Sequence, residues 1–386
     1  MSVWRESGKR RSDRNSLGCR ECDIHKICGE METMMKWEEN VRRVVPYTPG
    51  EQPDRANVIK LNTNENPYPP APGVVKSIAA LEQDKMRLYP AFPEQTHLAE
   101  ALASYYQIDR DQIFIGVGSD DVLSLAFMTF FQSDRPILFP DITYSFYDVW
   151  ADLYKIPYET KALNEHFGIR TEDYRQPNGG VVFPNPNAPT GILLDTGQVE
   201  EIIAANRDVV VIVDEAYIDF GGASCLPLIR KYDNLLVVQT FSKSRSMAGM
   251  RIGYAMGNPK LIRYLNDVKY SVNSYTLNYT SLQLGVEAVL DAAYFEETCG
   301  KIVRTRERAK EELSRLGFVF PDSYGNFIFA SHKRIPAKEI FERLKENDIY
   351  VRWWDKERIR NYLRITIGTD EQMEALYRRL REIVGD

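Results

Sequence analysis

Cysteine and histidine are scarce in this chain: 5 and 4 of its 386 residues. Five cysteines spread over such a length make no disulfide framework, and the N-terminus lacks the apolar stretch of a secretory signal, so a reducing cytoplasm is the expected setting. The histidines, His25, His97, His166 and His332, fall outside the strand-end motifs described below, which disfavours a histidine-dependent hydrolase. No apolar run approaches the roughly 18 residues that span a bilayer. Nor is positive charge in excess. With 49 Lys plus Arg against 55 Asp plus Glu, the net charge of −6 offers no general attraction for nucleic acid, and any recognition of phosphate has to be local. The full glycine-rich dinucleotide fingerprint is also missing, which argues against a dehydrogenase.

What is present is the length and composition of a soluble globular protein with a large core, and 386 residues favour a large domain accompanied by a smaller one. Residues 1–36 stand apart as a polar, basic N-terminal extension, expected to be poorly ordered. In it Cys19, Cys22, His25 and Cys28 recur every third residue, a spacing that raises zinc. One ten-residue stretch without a second knuckle is a poor zinc module, so no metal is expected. Met31, Met34 and Met35 stand just before Trp37, where globular patterning begins, which leaves open an alternative start.

From about residue 90 to 260, short β-branched or aromatic runs alternate with helix-like segments, the pattern of an α/β protein with a mainly parallel central sheet flanked by helices. The strand candidates are 113–117, 137–140, 181–183, 209–213, 235–239 and 252–256. Helices are expected over 120–131, with Ser119 as N-cap, and over 199–205 after a turn at Thr196-Gly197. The last hundred residues mix charged helices (305–316, 337–347) with short strands (327–330, 362–367), as in a smaller α+β domain. These readings divide the chain into an arm with part of the small domain (37–75), a large α/β domain (76–275) and a C-terminal small domain (276–386).

In an open α/β sheet, functional groups gather at the carboxyl ends of the strands. Three such ends carry chemistry. Thr240-Phe241-Ser242-Lys243 follows the apolar strand 235–239, and Arg251 comes eight residues later. A lysine there can form a Schiff base with an aldehyde cofactor, and the hydroxyls and guanidinium can hold a phosphate. Val213-Asp214-Glu215-Ala216-Tyr217 brings a carboxylate out of an apolar strand, where an unpaired charge is costly and a protonated pyridine nitrogen would compensate it. Gly116-Val117-Gly118-Ser119-Asp120 leads from a strand into a helix N-terminus, whose backbone N–H groups suit a phosphate.

Together with Leu61-Asn62-Thr63-Asn64-Glu65-Asn66-Pro67, Asn185-Pro186-Asn187-Ala188-Pro189-Thr190-Gly191 and Leu363-Arg364-Ile365-Thr366-Ile367-Gly368-Thr369, these motifs resemble, in order and spacing over residues 37–384, the fold-type I aminotransferases and among them the histidinol-phosphate aminotransferases. The resemblance implies pyridoxal 5'-phosphate as cofactor, with Lys243 as the Schiff-base lysine, Asp214 on the pyridine nitrogen and Tyr217 on the 3-oxygen. It assigns the phosphate to Thr240, Ser242, Arg251, Gly118, Ser119 and Asp120, and the ring-stacking aromatic to Tyr144. Tyr89 matches a tyrosine given to a neighbouring subunit's phosphate site, which implies a homodimer with shared active sites. Arg364, Arg352, Tyr47 and Asn326 match substrate-pocket positions. Ala188 replaces an asparagine that the family commonly has, leaving Asn187 as the candidate substitute. The implied reaction is transamination between histidinol phosphate, or a related aromatic amino acid, and 2-oxoglutarate. A threonine-phosphate decarboxylase, a broad aromatic aminotransferase and a non-catalytic small-molecule-binding protein on the same scaffold are the alternatives.

Overall fold

The computed structural model describes residues 36–55 and 57–385. The cysteine- and histidine-bearing stretch 19–28 lies outside them, and among the described residues no group of His, Cys, Asp and Glu is arranged to hold a metal ion. Lys36–Asn40 forms a single 3-10 turn. Residues from Val44 onward form one unit.

Thirteen strands are present among the described residues: β1 (Ile59–Lys60), β2 (Ile113–Gly116), β3 (Ile137–Pro140), β4 (Tyr158–Lys161), β5 (Gly180–Pro184), β6 (Val211–Asp214), β7 (Leu235–Thr240), β8 (Gly253–Gly257), β9 (Phe318–Val319), β10 (Phe327–His332), β11 (Ile349–Tyr350), β12 (Arg352–Trp353) and β13 (Leu363–Thr366). Seven build the main sheet in the order β2-β8-β7-β6-β5-β3-β4. Its pairings are parallel except for those of β8, which runs antiparallel to both β2 and β7. The sheet interior is continuously apolar, as a sheet covered on both faces requires: β2, β3, β5, β6, β7 and β8 are buried along their whole length. The β4 strand was not expected, because Tyr-Glu-Thr-Lys is polar; as an edge strand it exposes three of its four residues.

A smaller antiparallel sheet, β12-β13-β10-β9, lies in the C-terminal region, and β1 pairs parallel with β11 beside it. The chain just after β1 also joins this sheet, since Thr366 N donates to Leu61 O. The core of the large sheet takes in Leu282, Leu284, Ala288 and Val289 of the helix Tyr279–Leu290, whereas Ile302, Ala309 and Leu313 of the next helix, Ala292–Arg315, pack into the core of the smaller one. The change of core falls near residue 291, because the apolar face of 279–290 fits the helices His97–Tyr106 and Pro72–Ala79.

Two helix starts differ from expectation. The helix after β2 begins at Gly118, so Ser119 lies in its first turn and the cap residue is Val117, whose N–H donates to Asp121 Oδ2 at 2.8 Å. Thr196 and Gly197 are helical, because Asp195 and Gln198 close a capping box one residue earlier than the expected turn.

Candidate active site

The parallel strands β2, β5, β6 and β7 end on one edge of the sheet. Antiparallel β8 begins on that same edge, with Gly253 opposite both Gly116 and Thr240. Lys243 and Arg251 thus sit on the loop between β7 and β8, directly above the carboxyl ends. Gly253 has to be glycine: a Cβ there would lie 2.2 Å from the Gly118 carbonyl carbon and 2.3 Å from Ser119 N. Gly118, at φ +82°, is under the same constraint, since its Cβ would meet Arg251 Nη2 at 2.4 Å. The two glycines let the helix N-terminus and the arginine approach closely.

Two adjoining cavities open at this edge. An inner one of about 170 Å³ is lined by Ser119, Asp120, Tyr144, Ala188, Asp214, Tyr217, Ser242, Lys243 and Arg251, among others. An outer one of about 610 Å³ adds Tyr47, Asn62, Phe146, Arg352, Trp354 and Arg364. Both include Thr63, Tyr217 and Lys243, so the lysine stands where they meet.

Lys243 Nζ donates to Thr63 O at 2.9 Å and lies 5.8 Å from the Tyr217 ring centroid. At the floor, Asp214 is buried. It accepts hydrogen bonds from Tyr147 OH (3.1 Å) and Ala216 N (3.2 Å), yet burial pushes its carboxyl up to about 7. Two hydrogen bonds do not offset the loss of solvation, so the site favours a cation against this carboxylate. Beyond the end of β7, Ser242 Oγ lies 3.0 Å from Thr240 Oγ1 and accepts from Arg251 Nη1 at 3.4 Å. Arg251 Nη2 is only 3.5 Å from Asp120 Oδ2, a loose pairing that leaves donors for an anion. Tyr144 OH donates to the other oxygen of Asp120 at 2.6 Å, which fixes the ring on the cavity wall.

The outer cavity is cationic and aromatic. The guanidinium groups of Arg352 and Arg364 each lie over the Trp354 ring, 5.3 Å from its centroid. Arg364 Nη2 donates to Asn62 O at 2.8 Å, its Nε is buried without a partner among the described residues, and burial pulls it below the ordinary guanidinium value. Arg352 reaches Thr48 O and Pro49 O at 2.9 and 3.0 Å, and Tyr47 stacks on Phe146 at 4.1 Å.

Five expected residues do not line the cavities: Gly118 and Thr240, each close in sequence to one that does, and Asn187, Asn326 and Tyr89. The amide of Asn187 is taken up by its own loop, donating to Ile142 O and Thr190 Oγ1 at 3.0 Å each and accepting from Thr143 Oγ1 at 3.2 Å, so it does not replace the missing asparagine at Ala188. Asn326 is fully buried and donates to Asn64 O at 3.0 Å, acting one layer behind the wall. Tyr89 is 80% exposed and stacked on Tyr275 at 4.5 Å. Conversely, the buried Asn64, whose Nδ2 donates to Tyr217 OH at 3.0 Å, and Tyr147, on Asp214, carry no signal in the sequence that marks them as partners of the site.

A strand-end lysine, a buried carboxylate awaiting a cation and a glycine-and-arginine anion cradle, set around one cavity on this sheet, suit pyridoxal phosphate and define an aminotransferase-type site. The class I and II aminotransferase profile matches residues 56–380, and the chain belongs to that family. It is 49% identical over 350 residues to the histidinol-phosphate aminotransferase of Clostridium beijerinckii, covering 91% of this chain and 98% of that protein. With that of Pseudomonas putida strain W619 it shares 50% over 340 residues, covering 88% and 97%. The chain therefore belongs with the histidinol-phosphate aminotransferases. The fold is that of solved structures from Clostridium acetobutylicum (TM-score 0.78, 22% identity, 85% of this chain and 99% of that one) and from Sinorhizobium meliloti (TM-score 0.77, 23% identity, 85% and 91%). The first is described as a histidinol-phosphate aminotransferase and the second as that enzyme in complex with pyridoxal 5'-phosphate.

Proposed function

We propose that this chain transfers the amino group of L-histidinol phosphate to 2-oxoglutarate, with pyridoxal 5'-phosphate as cofactor, as a step of histidine biosynthesis in the cytoplasm. What carries the reading is Lys243 and Asp214 at one cavity, on the ends of neighbouring strand connections, in a chain about half identical to enzymes of that name.

Pyridoxal phosphate, when bound, supplies an aldehyde to hold an amine and a ring that accepts charge from the substrate's Cα. Asp214 would face the ring nitrogen, where a proton on that nitrogen gives the buried carboxylate its counter-charge. Thr240, Ser242, Arg251 and the first-turn amides at Gly118, Ser119 and Asp120 would grip the phosphate, and Tyr144 would cover one face of the ring. Lys243 Nζ would hold the cofactor's aldehyde carbon and, where the substrate amine takes its place, would be the group positioned to move a proton off the substrate's Cα, as general base and then acid. Arg364 and Arg352, backed by Tyr47, suit the substrate's anionic group, and Asn326 holds the backbone behind them. The same arginines suit the carboxylates of 2-oxoglutarate, so one pocket serves both halves of the cycle.

A homodimer is part of the proposal. Met86, Leu88, Tyr89, Phe92 and Tyr275 are exposed apolar side chains on neighbouring segments, a surface that a second copy would cover, and Tyr89 is the residue proposed to reach the partner's phosphate site.

The test is single-turnover absorbance of the cofactor-loaded protein, first with L-histidinol phosphate and then with 2-oxoglutarate, beside Lys243→Ala. Loss of the visible band with the amine and its return with the keto acid, both absent from the variant, are expected. Failure of that cycle, with carbon dioxide released from threonine phosphate instead, overturns the assignment in favour of a decarboxylase.

A further inference from the structure

We infer that Asn64 and Thr366 are positioning residues that make Tyr217 an obligate hydrogen-bond donor into the cavity, an inference that rests on the pyridoxal-phosphate reading above. The chain of contacts runs in one direction only. Asn64 N, a backbone group that can only donate, gives its hydrogen to Thr366 Oγ1 at 3.1 Å. The Thr366 hydroxyl carries one proton, and its one acceptor among the described residues is Asn64 Oδ1, at 2.9 Å. That bond sets the orientation of the amide. Asn64 Nδ2 must then be the atom facing Tyr217, and it donates to the phenol oxygen at 3.0 Å. With its oxygen already serving as acceptor, the phenol has a single proton left, and the open direction is the cavity that Tyr217 lines.

The arrangement is held firmly. Asn64, Thr366 and Asn326 are all 2% exposed or less, Asn64 occupies a left-handed backbone position at φ +57° that asparagine tolerates, and Asn326 Nδ2 pins its carbonyl. The Phe327 ring meets the Tyr217 ring edge-on at 5.0 Å and fixes its plane. Every side-chain nitrogen and oxygen of Asn64 and Thr366 has a partner, as a polar relay this deep needs, while Asn326 Oδ1, behind them, has none among the described residues. On the cavity wall beside it, Ala188 presents no hydrogen-bonding side chain, and the amide of Asn187 is already spent, so the work of donating to an anionic ring oxygen falls to Tyr217. Two residues from opposite ends of the chain, 302 positions apart, thereby set the electronic state of the bound cofactor without touching it.

The experiment is a pH titration of the visible band of the cofactor-loaded enzyme, paired with the dissociation constant of pyridoxal phosphate, for Tyr217→Phe, Asn64→Asp and the double variant. Asp is the same size as Asn, but its carboxylate accepts from Tyr217 and turns the phenol proton away from the cavity. A hydrogen bond donated to an anionic oxygen favours the anion, so each single variant should move the titration midpoint to higher pH and weaken cofactor binding by about tenfold. If Asn64 acts through Tyr217, adding Asn64→Asp to Tyr217→Phe changes either reading by less than about twofold. A full additional effect in that background, or an unmoved midpoint in Asn64→Asp, overturns the relay. Thr366→Ser and Thr366→Val give the same decision should Asn64→Asp fail to fold: Ser should keep the wild-type midpoint and Val should shift it. A wild-type protein with no visible band that Lys243→Ala abolishes would instead overturn the cofactor reading, and the relay with it.

Discussion

Asp214→Asn should make the cofactor-free protein more stable at alkaline pH while crippling the site, and the size of the effect follows from the floor of the inner cavity. Burial moves the Asp214 carboxyl from 3.8 to about 7. A folded-state value above the unfolded one means that ionisation works against folding. The penalty is absent below about pH 4, grows as the pH rises towards 7 and is complete above it. At about 1.36 kcal/mol for each unit, the full penalty is on the order of 4 kcal/mol, of which roughly 3 kcal/mol accrues between about pH 5 and pH 8. The asparagine variant carries no such charge. It loses part of the pairing with Tyr147 OH and Ala216 N, a cost of about 1–3 kcal/mol that does not vary with pH. The assay is urea unfolding of both cofactor-free proteins across that range, read as the difference in free energy between them. The difference should swing by about 3 kcal/mol in favour of Asn as pH rises, and pyridoxal phosphate should flatten the wild-type curve by supplying the counter-charge. A difference that stays level from acid to alkaline pH would refute the claim that Asp214 is a strained, uncompensated carboxylate.

Other consequences are as direct. Tyr147→Phe removes a hydrogen bond that holds the Asp214 carboxyl down, so in the same unfolding series the loss of stability should begin at the same pH as in wild type but continue to higher pH and end larger. Gly118→Ala puts a Cβ against Arg251 at a positive φ; the protein should still fold, but bind pyridoxal phosphate at least about tenfold more weakly by equilibrium dialysis. Borohydride treatment followed by mass spectrometry should trap the cofactor on Lys243 in wild type and nowhere in Lys243→Ala. Arg364→Lys should lower kcat/KM for histidinol phosphate by about tenfold or more, since a point charge cannot reproduce a guanidinium that also bonds Asn62 O and stacks on Trp354.

The parts of the site legible in the sequence are those carried at the ends of apolar strands. Leu235–Thr240 and Val211–Asp214 announce themselves as buried strands, so the residues that leave them, Lys243 and Asp214, can be assigned to the functional edge of the sheet. Arg251 follows from its spacing before the next strand. What could not be read is pairing at long range. Asn64 and Tyr217 are separated by 153 positions, Tyr147 and Asp214 by 67, and an amide or phenol that will meet a partner looks in sequence like any other. Asn187 shows the converse error: a polar residue in the right motif is drawn off by Ile142 O and Thr190, contacts made only when the loop folds back on itself. The polar edge strand Tyr158–Lys161 escaped notice because hydrophobic patterning detects burial, and that strand has little.

The reversed strand β8 has a consequence for how freely this molecule can change. The stretch from Phe241 to Ile252 is tied at both ends, by Phe241 N to Ile252 O and by the register of Thr240 with Gly253, and is gathered in between by Met247 N on Phe241 O. The amine and the guanidinium proposed to grip opposite ends of one small molecule are therefore set apart by a length of chain tied at both ends. Insertions and deletions that outer connections absorb would here pull one grip from the other, so this loop should be the least permissive place in the protein for a change of length, even where the residues altered touch nothing.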